Sequence, residues 1–269
     1  MTQLVRTQLV GNVEHPEFSG VMGLLRAETE IVEVLPELIV VVQDRPGAVS
    51  HGEVEACRRR SPLAGVVALL GSWSEGEART GRPFAGVERI YWYEFPAWWR
   101  RQQGMRAEGL CPDWLRHVDI NCGFPASARY SRPVRGSVKS SEQCHGLIAI
   151  RADVGETAEA LGDVLQRAGF ASMWQRPGGG GCSVIGIAAG LWVGAQLNAS
   201  EEFDLQRFCR RMSSSAAPVI AILDFPRHDS LQRALRAGAS EVFGMPWSNA
   251  DLANTVRLLT STKQRRLAA

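Results

Sequence analysis

The sequence predicts an α/β chain built as two open, doubly wound parallel sheets of five strands each. Three observations lead there. Val219–Leu223 is a continuous apolar run of strand length, followed by an amphipathic segment with Leu231, Ala234, Leu235 and Ala239 on one face, Gly238 at its end and a second short apolar run. Strand, helix and strand within thirty residues is the spacing of a right-handed crossover between parallel strands. The same alternation recurs along a chain of 269 residues, long enough for two ordinary domains, each with its own core.

In the first half, Thr7–Val13 reads as an edge-like strand, and His15-Pro16-Glu17 opens a segment with Phe18, Val21, Met22 and Leu25 at helical spacing. Glu30–Val34 alternates as a short strand. Leu38–Val42 is fully apolar and runs into Gln43-Asp44-Arg45-Pro46-Gly47. Ser50 is placed to cap a helix over His51–Arg60. A buried strand Val66–Leu70, a polar loop from Gly71 to Glu77, a strand Arg89–Tyr93 and a closing helix Trp98–Met105 complete the unit.

From Ala107 to His145 periodicity fails, and Pro, Gly, Ser and Arg dominate. This stretch reads as a linker or arm lying on a domain surface through Trp114, Leu115 and Phe124. The second half resumes with a strand Leu147–Ile150, a helix Glu156–Ala168 ended by Gly169, and a strand Ala171–Trp174. A glycine turn, Pro177–Gly181, leads to a third strand read as Ser183–Ala188 and a helix Phe203–Met212. Pro218–Trp247 follows, and Asn249 leads a last helix through Leu252, Val256 and Leu259. The expected division is 1–106, a linker 107–145, and 146–269.

Composition fits a soluble globular protein, with 45% apolar and 22% charged residues. No run approaches the ~20 apolar residues of a membrane span, and the N-terminus lacks a basic start and apolar core, so the expected compartment is the cytoplasm. Six scattered cysteines favour reduced thiols over a disulfide framework.

The string ALRAGASEVFGMPW, residues 234–247 with its lead-in, resembles the last helix and strand of response-regulator receiver domains, whose pattern is A-L-x-A-G-A-x-x-(apolar)-x-x-K-P-(aromatic). The resemblance implies a flavodoxin-like, receiver-like fold for both halves, clearer in the second. It also implies a place for chemistry at the C-terminal strand ends. There the family has an acidic pair after strand one for a divalent ion and an aspartate nucleophile after strand three. A hydroxyl after strand four and a lysine after strand five neutralise the phosphoryl charge.

Against that pattern the second half is depleted. Arg151-Ala152-Asp153 leaves only Asp153 of the acidic pair, Ala188 falls near the nucleophile position, Leu223 at the hydroxyl position and Met245 at the lysine position. In the first half the nucleophile position falls near Val42, with Asp44 displaced by two residues. Ser72 is near the hydroxyl position, and Glu94-Phe95-Pro96 lacks the lysine. Both domains are therefore expected to be degenerate: a receiver-like domain followed by a pseudo-receiver.

Other constellations are weaker. Asp153, Asp224 and His228 share a rim but read as a helix cap and loop residues. The loop Gly178–Gly181 lacks phosphate-loop spacing and precedes a strand. Cys111, His117, Cys122, Cys144 and His145 give no paired C-x-x-C, so no metal and no cofactor is expected. The tail Lys263–Arg266 reads as a solvated helix end.

Residues 54–140 hold fourteen Lys or Arg against eight Asp or Glu, and five of the eight tryptophans. Such a region fits a core with a solvated surface, a protein interface or a nucleic-acid surface, in that order. The expected function is non-catalytic signalling or scaffolding through protein contacts, with a second copy as one form of partner and no membrane. The tentative interaction surface is Trp73, Arg79, Arg82, Trp92, Phe243 and Trp247. An anion- or nucleotide-binding protein or enzyme using the strand-end crevice is one alternative, and a nucleic-acid-binding regulator using the Arg/Trp-rich region 54–140 is the other.

Overall fold

The computed structural model describes residues 4–77, 81–115, 146–176 and 186–268, with side chains to 261. Arg79, Phe124, the glycine loop at 178–181, His117, Cys122, Cys144, His145 and the side chains of the basic tail lie outside the described residues. The described residues fall into two compact units, one on either side of the 116–145 segment.

The first unit comprises β1 (Val5–Gly11), α1 (Ser19–Glu28), β2 (Thr29–Ile31), β3 (Leu38–Gln43), α2 (His51–Arg60), β4 (Gly65–Leu70), β5 (Glu88–Tyr91) and α3 (Phe95–Ala107). Short 3-10 turns lie at Pro16–Phe18, Ser72–Ser74 and Asp113–Leu115. Its sheet order is β2-β1-β3-β4-β5, all parallel. The second unit comprises β6 (Leu147–Arg151), α4 (Gly155–Arg167), β7 (Ala171–Gln175), β8 (Ile187–Val193), α5 (Ala199–Ser213), β9 (Val219–Asp224), α6 (His228–Arg236), β10 (Glu241–Met245) and α7 (Asn249–Ala268). Its order is β10-β9-β8-β6-β7, again parallel. Counted within each unit, both orders are 2-1-3-4-5, the flavodoxin-like arrangement of receivers, with a switch point between the first and third strands.

The central strands β3 and β9 are nearly continuous apolar runs because both of their faces are covered. Phe18, Val21, Met22 and Leu25 are all buried, as their spacing requires. Ser50 caps α2 in a reciprocal capping box with Glu53. The hydrogen bonds from the Ser50 hydroxyl side and its backbone N–H hold the exposed Glu53 carboxyl below the usual range.

Several boundaries differ from the sequence reading. β1 stops at Gly11 rather than Val13: Gly11 has φ +105°, and a Cβ there would lie 2.2 Å from the Val42 carbonyl oxygen. β2 stops at Ile31 rather than Val34, because Leu35 takes φ +53° and Pro36 follows, turning the chain straight into β3 without a helix. The third strand of the second unit is Ile187–Val193, not Ser183–Ala188. Gly190 is not the end of that strand but its middle. A Cβ at Gly190 would lie 2.7 Å from Phe208 Cε1, so the glycine lets α5 pack closely on β8.

α3 begins at Phe95 rather than Trp98, with Pro96 in its first turn. Trp98 and Trp99 are fully buried. Trp114 stacks on Trp99 at 5.6 Å with an interplanar angle of 14°, so the packing of the first unit extends to Trp114, while Leu115 is exposed. Asp113 fixes that segment through hydrogen bonds with Gln102 and an ion pair with Arg101.

Candidate functional site

In the second unit the rim starts with an arginine. Arg151 ends β6, and its guanidinium reaches Asp153 Oδ1 at 2.7 Å and Asp204 Oδ2 at 2.9 Å. The Trp192 indole N–H also donates to Asp204, at 3.0 Å. Both carboxylates are thus held by a resident cation, the Arg151 guanidinium. Asp153 itself is mostly solvated.

The shifted β8 changes which residues meet the crevice. Ala188 lies near the N-terminal end of β8, on the opposite rim, where a Cβ on Gly146 would meet its methyl at 2.7 Å. The residues at the C-terminal end are Val193-Gly194-Ala195-Gln196, with no carboxylate and no hydroxyl. The Ala195 N–H donates to Glu201 Oε1 at 2.7 Å, fastening this loop to the first turn of α5. Leu223 is fully buried near the end of β9. Met245 ends β10 and is joined to Pro246 by a cis peptide bond.

Among the described residues no group of three His, Cys, Asp or Glu side chains is placed to hold a metal ion, so Asp153, Asp224 and His228 do not form one.

The first unit has a fuller rim. β3 ends not on Val42 or Asp44 but on Gln43, whose side chain is buried. Gln43 Nε2 donates to Glu77 Oε1 at 3.1 Å, and Arg89 pairs with Glu77 Oε2 at 2.6 Å. Arg89 also reaches the Ser74 carbonyl at 3.5 Å. On the other side of the same turn, the Ser72 hydroxyl is hydrogen-bonded to Glu17, and the Trp92 indole N–H donates to Ser72 Oγ at 3.1 Å. The loop at 71–77 packs because Ser72 and Glu77 take partners from other elements, while the Ser74 hydroxyl is buried without one among the described residues.

Glu17, Gln43, Glu77 and Arg89 were not singled out in the sequence. Glu17 was legible as an acidic residue soon after strand one. The Glu77–Arg89 pair had no sequence signal, since the two are joined only through the sheet.

Of the tentative interaction surface, Trp73 is 79% exposed, and Arg82 is exposed. Trp92 and Phe243 are buried and cannot offer their rings to a partner: Trp92 is turned inward to Ser72, and Phe243 lies within β10. Trp247 is half-buried, its indole N–H bonded to Asn249 at 3.1 Å. Of the five tryptophans in 54–140, Trp92, Trp98, Trp99 and Trp114 are core residues. A base-stacking platform needs exposed rings, and only Trp73 of the five supplies one.

Cys57, Cys111 and Cys209 are free thiols. Burial pushes the Cys209 thiol up to about 12. Alkylation at pH 8 is expected to label the exposed Cys111 rapidly and to leave Cys209 unmodified until the protein unfolds. Peptide mapping after a timed iodoacetamide pulse checks this, and early labelling of Cys209 would contradict it.

No family model and no curated protein matches the chain. Solved structures are similar at the level of the fold. A pilus assembly-related protein from Burkholderia pseudomallei is 16% identical with a TM-score of 0.36, the match covering 43% of this chain and 89% of that one. The receiver domain of a Francisella response regulator is 13% identical at 0.34, covering 44% and 98%. The signal receiver domain of a histidine kinase from Syntrophus aciditrophicus is 21% identical at 0.35, covering 44% and 91%. Each unit of this chain has a parallel five-stranded sheet in the flavodoxin-like order. No helix among the described residues is long and apolar enough to cross a membrane.

Proposed function

We propose that this chain is a non-catalytic signalling or scaffold protein of the cytoplasm, with two receiver-like domains in tandem that carry no phosphoryl group and act by binding other proteins. The end of β8 carries the reading. Val193-Gly194-Ala195-Gln196 offers no nucleophile where an acyl phosphate would have to form, and Met245 offers no cation to neutralise it. The first unit supports it, since Gln43 ends β3 there and Ser72 is already held by Glu17 and Trp92.

Trp73 is the anchor we assign to the partner. Its turn is fixed on one side through Ser72 and on the other through Glu77, so an exposed indole is presented on a rigid support. Exposed tryptophan held in this way loses little freedom on docking and belongs to the residue types richest in interface hot spots. Arg82, also exposed, is the second residue we assign to that surface.

Incubation with acetyl phosphate and Mg²⁺, followed by intact-mass measurement, tests the reading. The mass is expected to stay that of the unmodified chain. A stoichiometric phosphoryl adduct that is labile to hydroxylamine would overturn it.

A further inference from the structure

The first unit holds one of its own carboxylates inside a set of donors. Glu17 stands on the 3-10 turn after β1, and its Oε2 accepts the Ser72 backbone N–H at 3.1 Å. Its Oε1 is hydrogen-bonded to the Ser72 hydroxyl. The Trp92 indole N–H donates to Ser72 Oγ at 3.1 Å. An indole only donates, so Ser72 Oγ accepts from Trp92 and its single proton is left to point at Glu17. That ordering polarises the hydroxyl toward the anion.

The surroundings are shaped for this contact. Ser72 and Trp92 are both buried. A Cβ on Gly71 would come within 2.6 Å of Glu17 Oε2 and 2.7 Å of the Asp44 carbonyl oxygen, so the carboxylate and the chain after β3 both close on a bare backbone. Three segments that follow β1, β3 and β4 therefore meet around one carboxylate.

We propose that the Ser72 amide and hydroxyl, backed by Trp92, form an oxyanion-receiving site for which Glu17 is a permanent internal ligand. Its occupancy closes this crevice to free carboxylates and phosphates and sets the turn that presents Trp73. The inference goes beyond the proposed function and holds whether or not the chain signals through Trp73.

Glu17→Ala removes the carboxylate and leaves a space that formate fits. The variant is expected to melt several degrees below the parent. Sodium formate is expected to restore the melting temperature saturably, while sodium chloride at equal ionic strength does not. The parent chain should not respond to formate, and adding Ser72→Ala to Glu17→Ala should remove most of the response. Equal effects of formate and chloride, or an unchanged melting temperature in Glu17→Ala, would overturn the proposal.

Should Glu17→Ala fail to fold, Glu17→Gln keeps the shape and removes the charge. Its amides at 72–74 are expected to exchange about tenfold faster than the parent's, as loss of a charge-assisted hydrogen bond implies. Equal exchange would count against the proposal. Failure of formate rescue leaves the mass result with acetyl phosphate untouched, so the two readings fail separately.

Discussion

Arg89→Ala is expected to destabilise the first unit by about 3 kcal/mol, because removal of one partner strands a buried charge. Glu77 has a side chain only 5% exposed, and its Oε2 lies 2.6 Å from Arg89. Without the guanidinium, Gln43 Nε2 is left as its side-chain donor, at Oε1. The turn at 72–74 also loses the Arg89 contact to the Ser74 carbonyl. Hydrogen exchange of the β4 and β5 amides reads the effect in this unit alone. Replacing both partners by apolar residues, Glu77→Leu with Arg89→Met, is expected to recover much of the loss, since well-packed apolar substitutes often match a buried pair. Parent-like protection in Arg89→Ala would mean that the pair does not hold the loop.

Trp99→Ala is expected to cost about 4 kcal/mol through the cavity it leaves. The ring lies between Phe95, at 6.1 Å and 10°, and Trp114, at 5.6 Å and 14°. Its indole N–H donates to Glu28 Oε2 at 2.8 Å, tying α3 to the end of α1. Trp99→Phe keeps the stack and gives up the donor, so a smaller loss of about 1.5 kcal/mol is expected. The comparison of the two by exchange protection in α1 and α3 separates packing from hydrogen bonding. Equal losses in both variants would contradict that separation.

The crossovers were legible because they depend on local periodicity. Val219–Asp224, His228–Arg236 and Glu241–Met245 form where apolar runs and turn residues put them. The parallel order within each unit follows from short right-handed connections, which leave few alternatives. What failed was the edge of an apolar run interrupted by glycine. Gly190 reads locally as a strand end, yet it is a packing residue whose reason, the Phe208 ring, lies on another element.

Ala188 therefore lies on the opposite rim, and Val193–Gln196, not Ala188, stand at the C-terminal end of β8; neither stretch carries a carboxylate. The site of the first unit was harder to read. Glu17 and Ser72 are 55 residues apart, and Gln43 and Glu77 are 34 apart. No spacing rule joins such pairs. The fate of the tryptophans was likewise decided by tertiary packing: Trp73 and Trp92 are alike in composition terms, and only the sheet determines that one faces outward and the other inward.

Titration with beryllofluoride and Mg²⁺ asks whether either crevice takes up a phosphoryl-like group. This mimic needs no chemistry from the protein beyond a carboxylate to bind, a cation site and a donor to steady it. The melting transitions of both units are expected to stay where they are across the titration, and the fluorine resonance to remain that of the free complex. A saturable rise in one transition, together with a new bound resonance, would contradict that expectation.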